Sequence, residues 1–132
     1  MDTAAREELI RRNIEAWNSP DWEAELGRLW QPDAAVVAPE GWPEAGRFQG
    51  LEAVRQQFRR VKDSWSGERL TVEEISHAGP RSLARMTWRL RGEASGVDMD
   101  TTMWSLYSFR EGRIADVAFF QDGDAAKAAA AE

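Results

Sequence analysis

The sequence contains no cysteine. Disulfide bridges and thiolate metal sites are therefore excluded, and nothing in the chain calls for an oxidising compartment. It also has no apolar run close to the roughly 18 residues of a membrane span. Its beginning, MDTAAREELI, lacks the basic and apolar regions of a secretory signal. These absences predict a cytoplasmic protein that has no membrane partner.

Positive charge is scarce as well. The 17 Lys and Arg residues are outnumbered by 23 Asp and Glu residues, which gives a formal net charge of -6. Nucleic acids and anionic membranes reward clustered positive charge, so this balance disfavours both as partners. No set of His, Asp and Glu residues has the spacing of metal ligands, and no glycine-rich segment matches a phosphate loop. We therefore predict no metal and no other cofactor.

Tryptophan, by contrast, is abundant, since the 132 residues include seven. Side chains of this size dominate the burial energy of any core or pocket that holds them. The length fits one domain, residues 1–132, with a core of about 6–122 and an alanine-rich tail at 123–132. Trp42 stands among the prolines and glycines of PEGWPEAGRFQG (39–50), a composition typical of a loop. A loop needs no indole, so Trp42 is expected to cover something.

Apolar residues at helical spacing predict three helices. The first carries Leu9 to Trp17, and the second carries Trp22 to Trp30 and is closed by Pro32-Asp33. The third carries Leu51 to Val61. All three have charged residues on the opposite face, as helices packed on one side do.

Beyond residue 67 the apolar period changes from 3.6 to 2, which is typical of strands. We predict strands near 69–77, 82–92, 97–109 and 113–121, after a short one at 34–38. Three helices combined with a sheet of long strands give an α+β fold.

Four segments of the sequence resemble the SnoaL-like proteins of the nuclear-transport-factor-2-like superfamily. They are LWQPDAAVV (29–37), WPEAGRFQGLEAVRQQF (42–58), RLRGEASGVDMD (89–100) and FREGRIADVAFFQD (109–122). The family has similar W-P-E, R-G-x-x-S-G-V and R-D-G-K-I patterns at these intervals. The resemblance implies a cone-shaped α+β barrel, in which three N-terminal helices pack on a strongly curved mixed or antiparallel sheet.

The resemblance also implies a pocket between the helices and the concave face of the sheet, which opens near the loop after the first strand. Trp42 would then be either a rim residue of this pocket or a plug at the end of the core. Such a pocket suits a small hydrophobic molecule. The residues expected to line it are Asn13, Trp17, Trp42, Trp88, Met103, Ser105, Tyr107, Val117, Phe119 and Gln121.

The residues of a ketosteroid-isomerase-like site are absent. Aligned on that family, the tyrosine position falls on Asn13, the general-base position on Ala38 and the protonated-acid position on Ser105. An alanine cannot abstract a proton, so steroid-type isomerisation is disfavoured. The acidic residue that related cyclases carry on the last strand is replaced by Phe119.

Other candidates for chemistry are weak. Glu40 in the loop and Tyr107 could act as acid or base with Asn13 as an oxyanion donor. Arg91-Gly92-Glu93 has a spacing similar to that of the epoxide hydrolases of the superfamily, but it lies before a turn. The single histidine, His77, lies in SHAGPR, a predicted hairpin turn.

Three functions therefore stay open. The first is a domain that binds a small hydrophobic molecule by neutral hydrogen bonds inside an apolar pocket. The second is a protein-interaction or structural domain whose cone is filled by its own tryptophans. The third is a polyketide cyclase or isomerase, free of cofactors, that uses Glu40 or Tyr107. The sequence does not decide whether the chain is an enzyme.

A homodimer is also expected. Trp104, Leu106, Ala118 and Phe120 alternate with the pocket-facing residues of the last two strands, and helices on one side of the sheet would leave this face in water. A second copy would cover it about a two-fold axis. Arg85 and Arg89 should also point away from the cone, although a shift of register by one residue would turn both inward.

Overall fold

The described part of the chain contains four α-helices. In the computed structural model, which describes residues 1–42, 44–92 and 98–132, they are α1 (Thr3–Trp17), α2 (Trp22–Leu29), α3 (Leu51–Asp63) and α4 (Gly123–Ala130). No helix of these residues is both long and apolar enough to cross a membrane. The first three bury the apolar faces that their spacing predicts.

Six strands form one mixed sheet. They are β1 (Trp30–Ala38), β2 (Gly46–Gln49), β3 (Gly67–Ala78), β4 (Arg81–Arg91), β5 (Asp98–Arg110) and β6 (Arg113–Phe120). Their order is β2-β1-β6-β5-β4-β3, and β1 runs parallel to β6 while all other pairs are antiparallel. The predicted α+β class is confirmed.

Two expectations about the helices are corrected. Only α1 and α2 precede the sheet, because α3 follows β2 and a fourth helix ends the described chain. The second helix ends at Leu29 rather than at Pro32-Asp33, since Trp30 already has extended backbone angles (φ -115°, ψ 148°). Pro32 instead lies inside β1, where the pairing with β6 is interrupted between Trp30 and Ala35. A proline has no backbone N–H to donate to a neighbouring strand, so Pro32 fits the stretch in which the pairing is interrupted.

The main core lies between α1, α2 and α3 and one face of the sheet. Ile10 and Val54 from the helices and Val36 and Ile114 from the strands are fully buried there. This layer positions the aromatic residues that the sheet and the helices present to each other.

The opposite face of the sheet is covered by α4. The Asp122 side chain accepts a hydrogen bond from the Asp124 N–H at 2.9 Å and so begins the helix. Ala126 is fully buried. A side chain at Gly123 would place its Cβ 2.7 Å from the Trp104 ring, so this close approach requires glycine. The alanine-rich tail is therefore a docked helix.

The docked helix changes the argument for a homodimer. Leu106 is buried in a second cluster with Leu83 and Ala126, and Trp104, Ala118 and Phe120 are partly buried against this cluster. The expected bare apolar face is thus partly covered from within the chain. A homodimer through these strand residues stays a prediction.

Candidate functional site

A cavity lies between the first three helices and the sheet. Its free volume is about 40 Å³, counted as the space open to the centre of a water molecule. Tryptophan, phenylalanine and aliphatic side chains form most of its lining. The cavity admits a few water molecules, but it is far smaller than the roughly 300–1,000 Å³ of pockets that hold drug-sized ligands.

Eight of the ten residues expected in the pocket line this cavity, namely Asn13, Trp17, Trp42, Trp88, Met103, Tyr107, Val117 and Phe119. The other two do not. Ser105 is fully buried beside Tyr107, and its hydroxyl does not reach the cavity lining. Gln121 follows the end of β6, where its exposed side chain approaches Gly41 instead.

The sequence-based selection missed ten lining residues, most of which belong to the helices. They are Ile14, Ala16, Trp22, Leu26, Trp30, Gln57, Phe58, Val61, Leu70 and Met86. For the apolar residues of the helices, the signal was the apolar face that periodicity reveals. Periodicity does not tell which part of a buried face borders a cavity.

Trp42 closes one end of the cavity by stacking on two aromatic rings. Its ring centroid lies 4.9 Å from that of Phe119 at an interplanar angle of 11°. It lies 5.5 Å from that of Trp88 at 29°. We call the space that the Trp42 indole fills against these two rings the aromatic slot. Trp42 is neither a free rim nor a fully buried plug, because its side chain lines the cavity and is still partly exposed.

The loop that carries Trp42 has a glycine with positive φ on each side of that residue. Gly41 has φ +91° and Gly46, which follows the loop, has φ +118°, a conformation that other residues rarely adopt. Glu44 attaches the loop to α3, because its backbone carbonyl accepts from Gln57 Nε2 at 3.3 Å. Its carboxylate also forms an ion pair with Arg60.

A buried carboxylate anchors two of the tryptophans that line the cavity. Glu68 Oε2 accepts from the indole N–H of Trp17 at 2.6 Å and from that of Trp88 at 2.8 Å. Glu68 Oε1 accepts from Lys62 Nζ at 2.7 Å. The Glu68 side chain is only 8% exposed. We call these four residues the Glu68 clamp. Sequence analysis missed the clamp.

The clamp forms where α1 ends against β3. Trp17 is the last residue of α1, so its carbonyl has no partner within the helix. Lys62 Nζ donates to that carbonyl at 2.7 Å and lies 4.0 Å from the centre of the Trp17 ring. The next residue, Asn18, exchanges two hydrogen bonds with the Leu70 backbone of β3. Lys62 therefore caps a helix, pairs with Glu68 and contacts an indole at once.

The phenol of Tyr107 is a neutral polar group in the cavity lining. Burial raises the pKa of Tyr107 to about 12, although the neighbouring Asn13 amide and Ser105 hydroxyl act to lower it. Asn13 Oδ1 also accepts from the Trp30 indole N–H at 2.7 Å. At neutral pH the Tyr107 phenol is protonated, so it can donate a hydrogen bond but cannot act as a base.

The carboxylate and histidine candidates do not reach the cavity. Glu40 is exposed in the loop. His77 lies near the end of β3, with Nδ1 2.8 Å from Ser82 Oγ. Ala38 is buried at the end of β1, where its methyl group offers no acid or base.

The arginine candidates lie on the surface. Arg91 pairs with Asp98 at 3.2 Å, while Glu93 lies outside the described residues. Arg85 and Arg89 are exposed and pair with Glu74 and Asp100 across neighbouring strands. Both point away from the cone, as expected.

Comparison with known proteins identifies the fold family. The family model described as the SnoaL-like domain matches residues 10–117. No curated protein matches the chain significantly. The expected resemblance is therefore confirmed over most of the sequence.

Solved structures agree with that match. An NTF2-like protein of unknown function from Burkholderia pseudomallei K96243 is 22% identical, with 92% of each chain covered and a TM-score of 0.78. A putative SnoaL-like polyketide cyclase from Jannaschia sp. CCS1 is 14% identical, with 97% of this chain and 92% of the other covered and a TM-score of 0.79. TerC, co-crystallised with polyporic acid, is 20% identical, with 97% and 99% covered and a TM-score of 0.78. At these identities the likeness establishes the fold alone.

Proposed function

The chain belongs to the SnoaL-like domain family, and from that premise we propose that it binds a small, flat, largely apolar molecule in the cone. The ligand takes the place of the Trp42 indole in the aromatic slot. Two of the similar structures, a putative polyketide cyclase and a protein co-crystallised with polyporic acid, make such a ligand class a reasonable one to test.

The observation that carries the proposal is the stacking geometry of the slot. Trp42 makes two stacked contacts, on Phe119 and on Trp88, through one flat ring that enters from a loop. An aromatic ligand ring has the same shape and the same π faces, so it can replace these contacts. The cavity, with a free volume of about 40 Å³, is too small for such a ring, so binding requires Trp42 to leave the slot.

Local structure supports such a movement. Gly41 and Gly46 lie on either side of Trp42 and have positive φ angles, which glycine adopts more readily than other residues. The Arg60–Glu44 pair is half exposed on the arginine side and 30% exposed on the glutamate side. Partly solvated pairs of this kind contribute about 1 kcal/mol or less, so this ion pair holds the loop only weakly.

The polar groups of the cavity favour binding over acid–base catalysis. Asn13, Gln57 and Tyr107 are neutral, and Tyr107 remains protonated at neutral pH. A catalytic version of the proposal limits Tyr107 and Asn13 to hydrogen-bond donors for a developing oxyanion. Glu40 would need the loop to carry it inward from solvent.

The alternative is a cone that is filled permanently by its own side chains, with an interaction or structural role. The small free volume favours this alternative. The two functions differ in one respect, since a filled cone does not exchange Trp42 for a ligand.

Isothermal titration calorimetry with 2-naphthol separates the two functions. We expect saturable binding of one molecule per chain, and tighter binding by Trp42→Ala, because the variant removes the competing ring. Free indole should likewise bind Trp42→Ala more tightly than the unmodified chain. The matched control is Trp104→Ala, on the other face of the sheet, which should leave 2-naphthol binding unchanged. Absence of saturable binding by the unmodified chain would contradict the proposal, and binding by Trp42→Ala alone would favour the filled cone.

A further inference from the structure

Gln57 is the polar exception on the buried face of α3. The other buried residues of this helix are Val54, Phe58 and Val61, which are apolar. Gln57 is fully buried and lines the cavity. A buried amide that does not hydrogen bond destabilises the fold, so its placement among apolar residues calls for partners at both ends of the amide.

One end of the Gln57 amide has a partner. Its Nε2 donates to the Glu44 carbonyl oxygen at 3.3 Å. A carbonyl oxygen only accepts, so this contact fixes which end of the amide is nitrogen. The other end, Oε1, is buried and has no hydrogen-bond partner among the residues that the structure describes. Gln57 is therefore a lining residue that carries an unused acceptor.

The other polar atoms of the lining are less available as acceptors. Asn13 Oδ1 already accepts from the Trp30 indole at 2.7 Å. Tyr107 is a phenol that burial keeps protonated, with Asn13 and Ser105 beside it. Gln57 Oε1 is thus the acceptor with free capacity, on the helix to which the Trp42 loop is attached.

We infer that the ligand is a hydroxylated or N–H-bearing aromatic molecule whose donor group binds Gln57 Oε1 while its ring occupies the aromatic slot. This inference rests on the proposed function, since it names the ligand class of the same cavity. The Gln57–Glu44 hydrogen bond places the acceptor next to the loop that must open. Gln57 is then a specificity-determining residue.

The physical reason for specificity is the state of the oxygen after binding. A ligand hydroxyl or N–H that enters the slot can donate to Gln57 Oε1, which has no partner among the described residues. An aromatic ligand without a donor leaves the oxygen unpaired in an apolar surrounding. Sites of this kind reject analogues that lack the hydrogen-bonding group.

The test compares two ligands with the same ring system. 2-Naphthol carries a hydroxyl donor, whereas 2-methoxynaphthalene has an ether oxygen and no donor. We expect the protein to bind 2-naphthol about tenfold more tightly by calorimetry, in line with one net hydrogen bond. In Gln57→Met, which keeps the length of the side chain and removes the acceptor, the preference should fall to about twofold or less.

A neighbouring glutamine on the same helix provides the control. Gln56 is exposed, so Gln56→Met should keep the tenfold preference of the unmodified chain. The ligand pair also tests the inference on the unmodified chain alone, whatever the stability of Gln57→Met.

The outcomes separate this inference from the proposed function. Equal binding of the two naphthalenes by the unmodified chain would overturn the inference and leave the proposed function standing. A preference that survives in Gln57→Met would also overturn it, because the hydroxyl would then meet another acceptor. Binding of neither compound by the unmodified chain would contradict the proposed function itself.

Discussion

The tryptophans that line the cavity are held by different forces. Trp17 and Trp88 donate their indole N–H groups to the buried carboxylate of Glu68. Trp42 stacks on Trp88 and Phe119 and is carried by a loop that has a glycine with positive φ on each side of it. In the proposed function, the same residue type therefore forms a fixed wall or a movable one, depending on what anchors the ring.

Charge and burial determine how strongly each of these tryptophans is held. Removing one member of a buried ion pair leaves the other charge unpaired, which strongly destabilises a protein. Moving a partly exposed ring out of a stack exposes apolar surface, which a ligand ring can cover again. A cavity that must open is therefore expected to open at Trp42 while the Glu68 clamp stays closed.

The largest expected effect is the loss of the clamp. Glu68→Leu leaves the Lys62 ammonium, which is 18% exposed, without its partner and two indole N–H groups without an acceptor. We expect the free energy of unfolding to fall by about 3–5 kcal/mol in urea denaturation. The matched control is Glu73→Leu, an exposed residue of the same strand. A loss no larger than that of the control would show that the clamp does not fix its wall.

A second effect concerns Tyr107, a buried residue of the cavity lining. Its pKa is about 12 in the folded chain and about 10 when unfolded. Between these values the unfolded chain loses the proton and the folded chain keeps it, so stability is intact below pH 10 and decreases as pH rises toward 12, by at most about 3 kcal/mol.

The measurement for Tyr107 is direct because it is the only tyrosine. Near-ultraviolet absorbance of the tyrosinate should report a pKa close to 12 in the native protein, and Tyr107→Phe should lack the corresponding pH dependence of unfolding. Titration near pH 10 before unfolding would indicate a phenol that is not buried.

Truncation of Trp42 is expected to lower the free energy of unfolding by a smaller amount. Trp42→Ala should lose less than half of the roughly 3–5 kcal/mol that truncation of a fully buried tryptophan costs, because Trp42 is partly exposed and lies on a loop. Trp88→Ala, at a residue that is 5% exposed, gives the full loss for comparison. Urea denaturation of the two variants measures both values. Equal losses would make Trp42 a core plug.

Substitutions on the outer face of the sheet should not affect the tryptophans that line the cavity. We expect light scattering at micromolar concentration to show a homodimer of about twice the 14.9 kDa chain mass. Trp104→Glu should then give monomers or aggregates, with little change in 2-naphthol binding. A mass near 14.9 kDa for the unmodified chain would mean that α4 is sufficient cover for Trp104 and Phe120.

Much of the fold was predictable from periodicity and composition. The change from a period of 3.6 to 2 near residue 67 located the long strands, and the alternation of apolar and charged residues turned Arg85 and Arg89 outward. The tail was harder. An alanine-rich helix has little amphipathic signal, so its composition predicts a helix but not the sheet face on which it docks.

The clamp could not be predicted because its members look ordinary in the sequence. Lys62 lies at the end of the charged face of α3, and Glu68 lies in a strand in which polar and apolar residues alternate. Lys62 at the end of α3 meets Glu68 at the start of β3, and only the packing of α1 against β3 brings the Trp17 indole to this pair. Gln57 was missed for the same reason, since a single glutamine on a helix is more often exposed than buried.

The most direct test of two unequal walls is the set of indole N–H signals in an NMR titration with 2-naphthol. The seven tryptophans give one signal each, and single Trp→Phe variants assign them. The account predicts slow hydrogen exchange for Trp17 and Trp88 with and without ligand, because Glu68 accepts from both. It predicts a saturable shift of the Trp42 signal to that of a solvent-exposed indole. A Trp42 signal that does not respond, or loss of protection at Trp17 and Trp88 on binding, would contradict it.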